Sequence, residues 1–250
     1  MIELFVTDID GCLGQPYVPY DLDGLATLRR YAEAAGRPDD SSKAPALTIC
    51  SGRPYPYVEA LTQVLGVSTP VLFESGGGQF DPVSARTTWS PQWTDEQEAA
   101  LEAVRHWFVT ECIPGTGLML DRAKHTQAGV ITPNEDEIPP LRPRVERFVE
   151  ENALGLHVFT TDNSVDVVPE GITKRHGLEW LADTLESELE EIAYIGDTDG
   201  DLSALEAVGT SFAPANAQEA VRAQVDHVTE SPAIEGTIEA YRHCRRQNER

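Results

Sequence analysis

Lysine is scarce in this chain. Three lysines stand against sixteen arginines and 42 acidic side chains, and the formal net charge is -23 over 250 residues. Binding to nucleic acid or to an anionic membrane requires basic surface, so neither polyanion is expected as a partner. Two explanations of the charge stay open: a surface kept soluble at high salt, which we favour, or a codon bias for arginine over lysine.

Long apolar runs, a leader sequence and metal-binding cysteine pairs are also missing. No stretch approaches the ~18 apolar residues that span a bilayer, and the N-terminus lacks the basic start and cleavage site of a signal peptide. We therefore expect a soluble cytoplasmic protein, either a monomer or a homodimer. The four cysteines form no C-x-x-C pair, which predicts buried, reduced thiols.

The beginning of the chain alternates apolar runs with helical spacing. The pattern predicts strands at 2–7, 46–50 and 71–74 and helices at 22–35 and 57–65. Such alternation implies a parallel sheet with helices on both faces. The composition of 36–45 predicts a surface loop.

The middle of the chain has a different pattern. It predicts helices at 95–109 and 141–152 and strands at 117–121, 127–132, 156–160 and 164–168. Strand–helix alternation then returns, with a helix at 174–185 and a strand at 192–196. The predicted fold class is α/β: a Rossmann-like parallel core (1–83 and 169–250) and an inserted α+β domain (84–168) with an antiparallel sheet.

Polar residues directly after buried strands are the candidates for chemistry, because ligands bind at the carboxyl ends of parallel strands. Asp8 and Asp10 follow the first strand and flank Ile9, so both can face one pocket. Two adjacent carboxylates repel unless a cation neutralises them or one is protonated. The alternative is a plain turn, since Asp and Gly are common turn formers.

Three further segments are also candidates for chemistry. Ser51-Gly52-Arg53 follows the second strand and offers a hydroxyl and backbone N–H groups to a phosphate, or else caps a helix. Lys174 could hold a phosphate or the Asp8 carboxylate, or else be a solvated lysine. The segment 197–201 carries three carboxylates and predicts a magnesium site, or else a helix cap. Its glycine placement disfavours a calcium loop.

Four segments, taken in order along the chain, resemble the four motifs of haloacid dehalogenase-like hydrolases. They are TDIDG (7–11), CSGR (50–53), GITKRHGLEWL (171–181) with its lysine, and IGDTDGDLSAL (195–205). The inserted domain resembles the family's second cap type, subclass B. Three positions depart from the family pattern: Cys12, Ser75 and Gly200 replace the usual Thr, Asn and Asn.

The resemblance implies a magnesium-dependent phosphatase for a small phosphomonoester, such as a sugar phosphate or a phosphoglycolate-like compound. Asp8 would attack phosphorus and form an aspartyl-phosphate, and Asp10 would act as general acid and base. Ser51 and Lys174 would hold phosphoryl oxygens. It further implies that Mg²⁺ is held by Asp8, the carbonyl of Asp10 and Asp197, with Asp201 either as a further ligand or behind the ligands. The residues implied to bind substrate are Gly52, Arg53, Ser75 and Gly76.

Other functions stay open. A phosphomutase or phosphotransferase would use the same first half-reaction. A catalytically retired binding protein is compatible with Ser75 and Gly200. A signalling receiver module also uses a phospho-accepting aspartate and a lysine, but it needs only about half this length.

The segment 121–125 concentrates cations in an acidic chain. Arg122, Lys124 and His125 are candidates for binding a carboxylate or hydroxyls of the substrate. The alternative is a solvated turn between two strands.

Overall fold

A computed structural model of the chain describes residues 1–35, 44–152 and 154–250. The chain divides into two compact units. The core unit comprises Met1–Thr88 and Thr173–Arg250, and the inserted unit comprises Trp89–Ile172. The loop predicted at 36–45 lies, but for its last two residues, outside the described residues.

The secondary structure follows the predicted order. The strands are β1 Leu4–Thr7, β2 Ala46–Ile49, β3 Val71–Phe73, β4 Gly78–Asp81, β5 Arg86–Trp89, β6 Met119–Leu120, β7 Ala128–Ile131, β8 Leu156–Thr160, β9 Ser164–Pro169, β10 Ile192–Ile195, β11 Thr210–Ala213 and β12 His227–Val228. The helices are α1 Leu22–Ala35, α2 Tyr55–Leu65, α3 Asp95–Trp107, α4 Ile138–Glu151, α5 Lys174–Leu185, α6 Leu202–Leu205, α7 Glu219–Arg222 and α8 Ala233–Asn248.

The core unit is built on a five-stranded parallel sheet in the order β12-β11-β10-β1-β2. Its interior strand β1, which lies between β10 and β2, is buried, and the pleat divides its side chains between two apolar clusters. Phe5 packs with residues of α1, α2 and α8, whereas Leu4 and Val6 pack with residues of α5 and α6. Helices cover both faces of this sheet, which explains the continuous apolar runs and confirms the predicted fold class.

The third strand was predicted correctly, but its predicted place in the parallel sheet is wrong. β3 belongs to a separate sheet, β3-β4-β5, and pairs antiparallel with β4. A single parallel bridge, Cys50 to Leu72, links it to the end of β2. The reason is a tight turn over Glu74–Gly76, where Ser75 has a φ of 57° and the chain reverses. Gly78 then passes under the Phe73 ring, where a Cβ would lie 2.1 Å from ring atoms.

The inserted unit contains a four-stranded antiparallel sheet in the order β6-β7-β9-β8. Apolar residues of α3 and α4 share one cluster with Val165 and Val167 of β9. The helix predicted at 141–152 begins earlier, at Ile138, because prolines are well tolerated in the first turn of a helix. The unit spans Trp89–Ile172 where the sequence predicted 84–168, and it begins later because β5 joins the core unit's small sheet. Its role as a cap stays a prediction.

The negative charge lies mostly at the surface. Among the residues that the structure describes, the buried acidic residues are Asp8, Glu74 and Asp201. No helix within the described ranges is long and apolar enough to cross a membrane.

We expect the melting temperature to rise by more than about 5 °C between about 0.1 M and about 3 M potassium chloride, because salt screens the repulsion among surface carboxylates. Differential scanning calorimetry measures the effect directly. A melting temperature that stays flat or falls would favour codon bias as the explanation of the charge.

Candidate active site

Three neighbouring strands of the core sheet end at polar residues. β1 leads into Asp8, β2 into Cys50 and Ser51, and β10 into Gly196 and Asp197. Because β10, β1 and β2 are parallel neighbours, their carboxyl ends meet at one edge of the sheet. This edge gathers the side chains of the candidate site.

Lys174 is the first residue of α5, whose N-cap Thr173 accepts a hydrogen bond from the N–H of His176. Its Nζ lies 2.7 Å from Asp8 Oδ2 and 2.5 Å from Asp201 Oδ1. The side chain is 6% exposed, so the alternative of a solvated lysine is wrong. Burial would lower the pKa of Lys174, but Asp201 and Asp8 raise it well above its ordinary value, and the ammonium stays charged.

The turn that follows β10 wraps around the carboxylate of Asp201. Its Oδ2 accepts hydrogen bonds from two backbone N–H groups of the turn, and its Oδ1 accepts one from the Tyr194 hydroxyl at 2.6 Å. A Cβ on Gly196 would lie 2.4 Å from Asp201 Cγ, so the chain can pass over the carboxylate because this residue is glycine. Asp199 is exposed, and of the three carboxylates predicted to form a cation site, Asp197 and Asp201 join the cluster.

Three carboxylates crowd the edge of the sheet. Asp8, Asp197 and Asp201 each present an oxygen within 4.8 Å of the others. Burial raises the pKa of Asp8 to about 6 against the opposing effect of Lys174. Burial raises the pKa of Asp197 to about 8, and the neighbouring Asp201 and Asp8 add to it. Burial would raise the pKa of Asp201 too, but Lys174 and the hydrogen bonds hold it below its ordinary value.

Asp197 shows whether this cluster suits a metal ion. Its Oδ1 is buried and has no hydrogen-bond partner within the described part of the chain. Gly11, with a φ of 73°, lies so close that a Cβ there would be 1.8 Å from Asp197 Oδ2. Asn216 donates a hydrogen bond to the Gly11 carbonyl at 3.0 Å and fixes this approach. A buried, unpartnered carboxylate oxygen beside two further carboxylates fits a hard divalent cation, which prefers oxygen ligands.

Asp10 is held by Arg53. The guanidinium donates from Nε to Asp10 Oδ2 at 2.6 Å and from a terminal nitrogen to Oδ1 at 2.7 Å, a planar two-point contact. Arg53 also lies over the Tyr57 ring, 4.8 Å from its centroid. The sequence assigned Arg53 to the substrate and did not predict this pair. Asp10 as a metal ligand through its carbonyl stays a prediction.

The remaining candidates lie on two adjoining loops. Ser51 is 1% exposed, its hydroxyl accepts the N–H of Arg53, and its carbonyl accepts the N–H of Ser75 at 2.9 Å. A Cβ on Gly52 would lie 3.4 Å from the Ser75 hydroxyl, so these two residues are adjacent. Gly76 has another explanation than substrate contact: a Cβ there would lie 2.6 Å from Gly177 Cα, where α5 packs against the loop.

This geometry can be compared with known proteins. A family model of haloacid dehalogenase-like hydrolases matches residues 97–240, more than half of the chain. The chain belongs to this family.

Relatives and solved structures agree with the assignment. The phosphoglycolate phosphatase of Natronomonas pharaonis is 27% identical over 96% of both chains, and that of Haloarcula marismortui is 27% identical over 94% of both. A Thermoplasma acidophilum protein matches with a TM-score of 0.75 at 22% identity, covering 97% of this chain and 98% of its own. The sucrose-phosphatase of Synechocystis matches with a TM-score of 0.67 at 18% identity, over 97% of both chains. The two structures support the fold alone. The sources of the two relatives agree with a salt-adapted surface.

Two residues that position the site of this hydrolase were not predicted from the sequence. Asn216 lies in PANA, near the family's usual Gly-Asn-Ala, and its amide oxygen also accepts the N–H of Ala233 at 2.7 Å. Tyr194 is the one hydroxyl-bearing residue of the apolar strand IAYI. A hydroxyl within a fully buried strand was the feature of the sequence that could have identified Tyr194.

The three predicted substrate-binding cations lie in the inserted unit and have different surroundings. Lys124 is buried and pairs with Asp166 at 2.6 Å, so the alternative of a solvated turn is wrong for this residue. The His125 ring lies 4.4 Å from the Trp89 ring and 5.6 Å from the Trp93 ring. Arg122 is exposed. All three line an open groove of about 450 Å³ in this hydrolase.

Proposed function

We propose that the protein is a magnesium-dependent phosphatase that hydrolyses a small phosphorylated metabolite through an aspartyl-phosphate on Asp8. The observation that carries the proposal is the position of the Asp8 carboxylate. It is buried at the end of β1, one oxygen faces the Lys174 ammonium at 2.7 Å, and two further aspartates lie beside it in a cluster that could hold a cation. A nucleophile that must approach a phosphate dianion needs such cations around it.

The chain's own residues account for both halves of the reaction. A carboxylate oxygen of Asp8 forms a bond to phosphorus while the bond from phosphorus to the ester oxygen breaks. In the structure the two-point contact of Arg53 holds Asp10 as a carboxylate in a fixed plane. To act as general acid, Asp10 would leave this contact and take up a proton from solvent, give that proton to the departing oxygen, and then take a proton from the water that attacks the aspartyl-phosphate. Lys174 and Ser51 bind phosphoryl oxygens.

Magnesium is the proposed metal. The carboxylates of Asp8 and Asp197 and the carbonyl of Asp10 would hold it directly, with Asp201, whose oxygens already accept hydrogen bonds, beside them. When bound, it would neutralise these carboxylates and polarise the phosphoryl group.

We expect a chelator to remove all measurable turnover and added magnesium to restore it, whereas calcium should inhibit because its larger coordination sphere disturbs the in-line geometry. Phosphate release from para-nitrophenyl phosphate measures both effects. Full activity in chelator would contradict the metal assignment.

A second measurement reports on the metal without turnover. Since Asp197 has a pKa of about 8, magnesium must displace a proton from it near pH 6.5, and affinity should increase with pH up to about 8. A pKa raised by folding destabilises the metal-free protein as pH rises through that value. The magnesium-induced rise in melting temperature should therefore be larger at pH 8 than at pH 6.

The substrate class follows from the relatives and from charge. The curated relatives are phosphoglycolate phosphatases, so we propose a phosphoglycolate-like or sugar phosphomonoester. Arg122, Lys124 and His125 would bind its carboxylate or hydroxyls. Phosphate release also separates the alternatives: a receiver keeps its phosphoryl group, a retired binding protein releases none, and a phosphomutase yields an isomeric phosphate.

We expect Arg122→Ala to lower kcat/KM for the best substrate by about tenfold or more, the ~1.4 kcal/mol of one polar contact, and to leave hydrolysis of para-nitrophenyl phosphate nearly unchanged. The measurement is a panel of phosphorylated metabolites assayed for phosphate release. Arg147→Ala, at an exposed arginine of α4 in the same unit, is the matched control. Equal losses on both substrates would contradict recognition of the leaving group by Arg122.

A further inference from the structure

Tyr194 lies beneath the candidate site. It is fully buried in β10, and its ring packs in the apolar cluster that includes Leu178 and Leu181 of α5. Its hydroxyl donates a hydrogen bond to Asp201 Oδ1 at 2.6 Å, and the Cys50 thiol is a second neighbour of the hydroxyl. The other three residues of the strand are aliphatic, so the Tyr194 hydroxyl is the one polar side-chain group of β10.

The Asp201 carboxylate has no capacity left for further contacts. Oδ1 accepts from Lys174 Nζ at 2.5 Å and from the Tyr194 hydroxyl, and Oδ2 accepts from the N–H of Asp197, the N–H of Thr198 and the Thr198 hydroxyl. A carboxylate offers about four lone-pair positions. Five donors therefore saturate Asp201 and fix it in one orientation.

Two contacts on one oxygen set the position of the lysine. Lys174 is shared between Asp201 Oδ1 and Asp8 Oδ2, at 2.5 Å and 2.7 Å. The Tyr194 hydroxyl takes up part of the negative charge on Oδ1. Without that hydroxyl, Oδ1 would attract the ammonium more strongly and draw it away from Asp8.

We infer that Tyr194 is a positioning residue: through Asp201, its hydroxyl keeps the Lys174 ammonium directed at Asp8. The inference rests on the proposed function, in which Asp8 is the nucleophile and Lys174 holds the phosphoryl group. A purely structural tyrosine would affect stability alone. A positioning tyrosine affects the chemical step and the state of Lys174.

The test compares two hydroxyl deletions. Tyr194→Phe removes the contact with Asp201, and Tyr241→Phe removes an equally buried hydroxyl that donates to the Pro45 carbonyl at 2.6 Å, away from the site. We expect Tyr194→Phe to lower kcat for para-nitrophenyl phosphate on the order of tenfold, with KM within about twofold of the wild type. Tyr241→Phe should keep kcat within about twofold.

A second readout does not depend on turnover. The chain has three lysines, so protein labelled with ¹⁵N-lysine gives a simple spectrum, and Lys174→Arg assigns the signal. A buried ammonium held by two carboxylates exchanges its protons slowly, and we expect its NMR signal in the wild type and in Tyr241→Phe but a broadened or lost signal in Tyr194→Phe. If Tyr194→Phe does not fold, 3-fluorotyrosine at position 194 changes the hydroxyl's acidity and should shift the same signal.

The outcomes are distinct. An unchanged Lys174 signal together with a kcat within twofold of the wild type would overturn the positioning role. If the Lys174 signal changes in Tyr194→Phe but the wild type hydrolyses no phosphomonoester, the positioning role is supported and the proposed function is overturned.

Discussion

Asp8→Asn should lower kcat by at least about 10⁴-fold, because an amide is a poor nucleophile and the aspartyl-phosphate cannot form. The two side chains are nearly isosteric. Burial already raises the pKa of Asp8 to about 6, so removing its charge relieves a desolvation cost, although Lys174 loses one partner. We expect a folded variant whose melting temperature stays within a few degrees of the wild type. Steady-state hydrolysis and calorimetry on the same sample measure both quantities.

Two controls separate loss of the nucleophile from general damage. Asp226→Asn alters an aspartate outside the site that accepts the N–H of Ser211, so it should affect stability but not turnover. Asp10→Asn should also lose turnover, but by impairing proton transfer, and an aryl phosphate with a good leaving group should then label Asp8. A folded Asp8→Asn variant with near-native activity would refute the mechanism.

The fold could be predicted from local pattern to a large extent. The helices at 22–35 and 174–185 and the strand at 156–160 have the predicted bounds, because each depends on short-range apolar spacing. The polar residues after β1 and β10 were recognisable for the same reason. Parallel neighbours bring their carboxyl ends together, so sequence order was enough to place Asp8 near Asp197.

Contacts that the order of the parallel strands does not dictate were not predictable in this way. The antiparallel partner of β3 depends on the left-handed conformation of Ser75, which no periodicity reveals. The pairs Asp10–Arg53 and Lys124–Asp166 join residues about forty positions apart. Tyr194 gave a faint signal as a hydroxyl in an apolar strand, but its partner Asp201 was identifiable only in three dimensions.

Lys174→Met should lower both the stability of the protein and its turnover, each by a large amount. It removes the cation between Asp8 and Asp201, whose side chains are 8% and 0% exposed, and leaves two buried carboxylates without it. Breaking a buried ion pair on one side costs about 3–5 kcal/mol, since the remaining charge is uncompensated. We expect a loss of that size in urea denaturation without metal, and a fall in kcat of about 10³-fold or more because the phosphoryl oxygens lose their ammonium.

The double variant Lys174→Met with Asp201→Asn separates the contribution of Lys174 to stability from its contribution to turnover. Neutralising Asp201 removes one of the uncompensated buried charges, so part of the lost stability should return relative to Lys174→Met alone. Turnover should not return, because neither substitution restores a cation at the Asp8 carboxylate. If stability and turnover recover together, Lys174 acts through the fold alone. If turnover stays lost while stability recovers, the ammonium acts on the phosphoryl group directly.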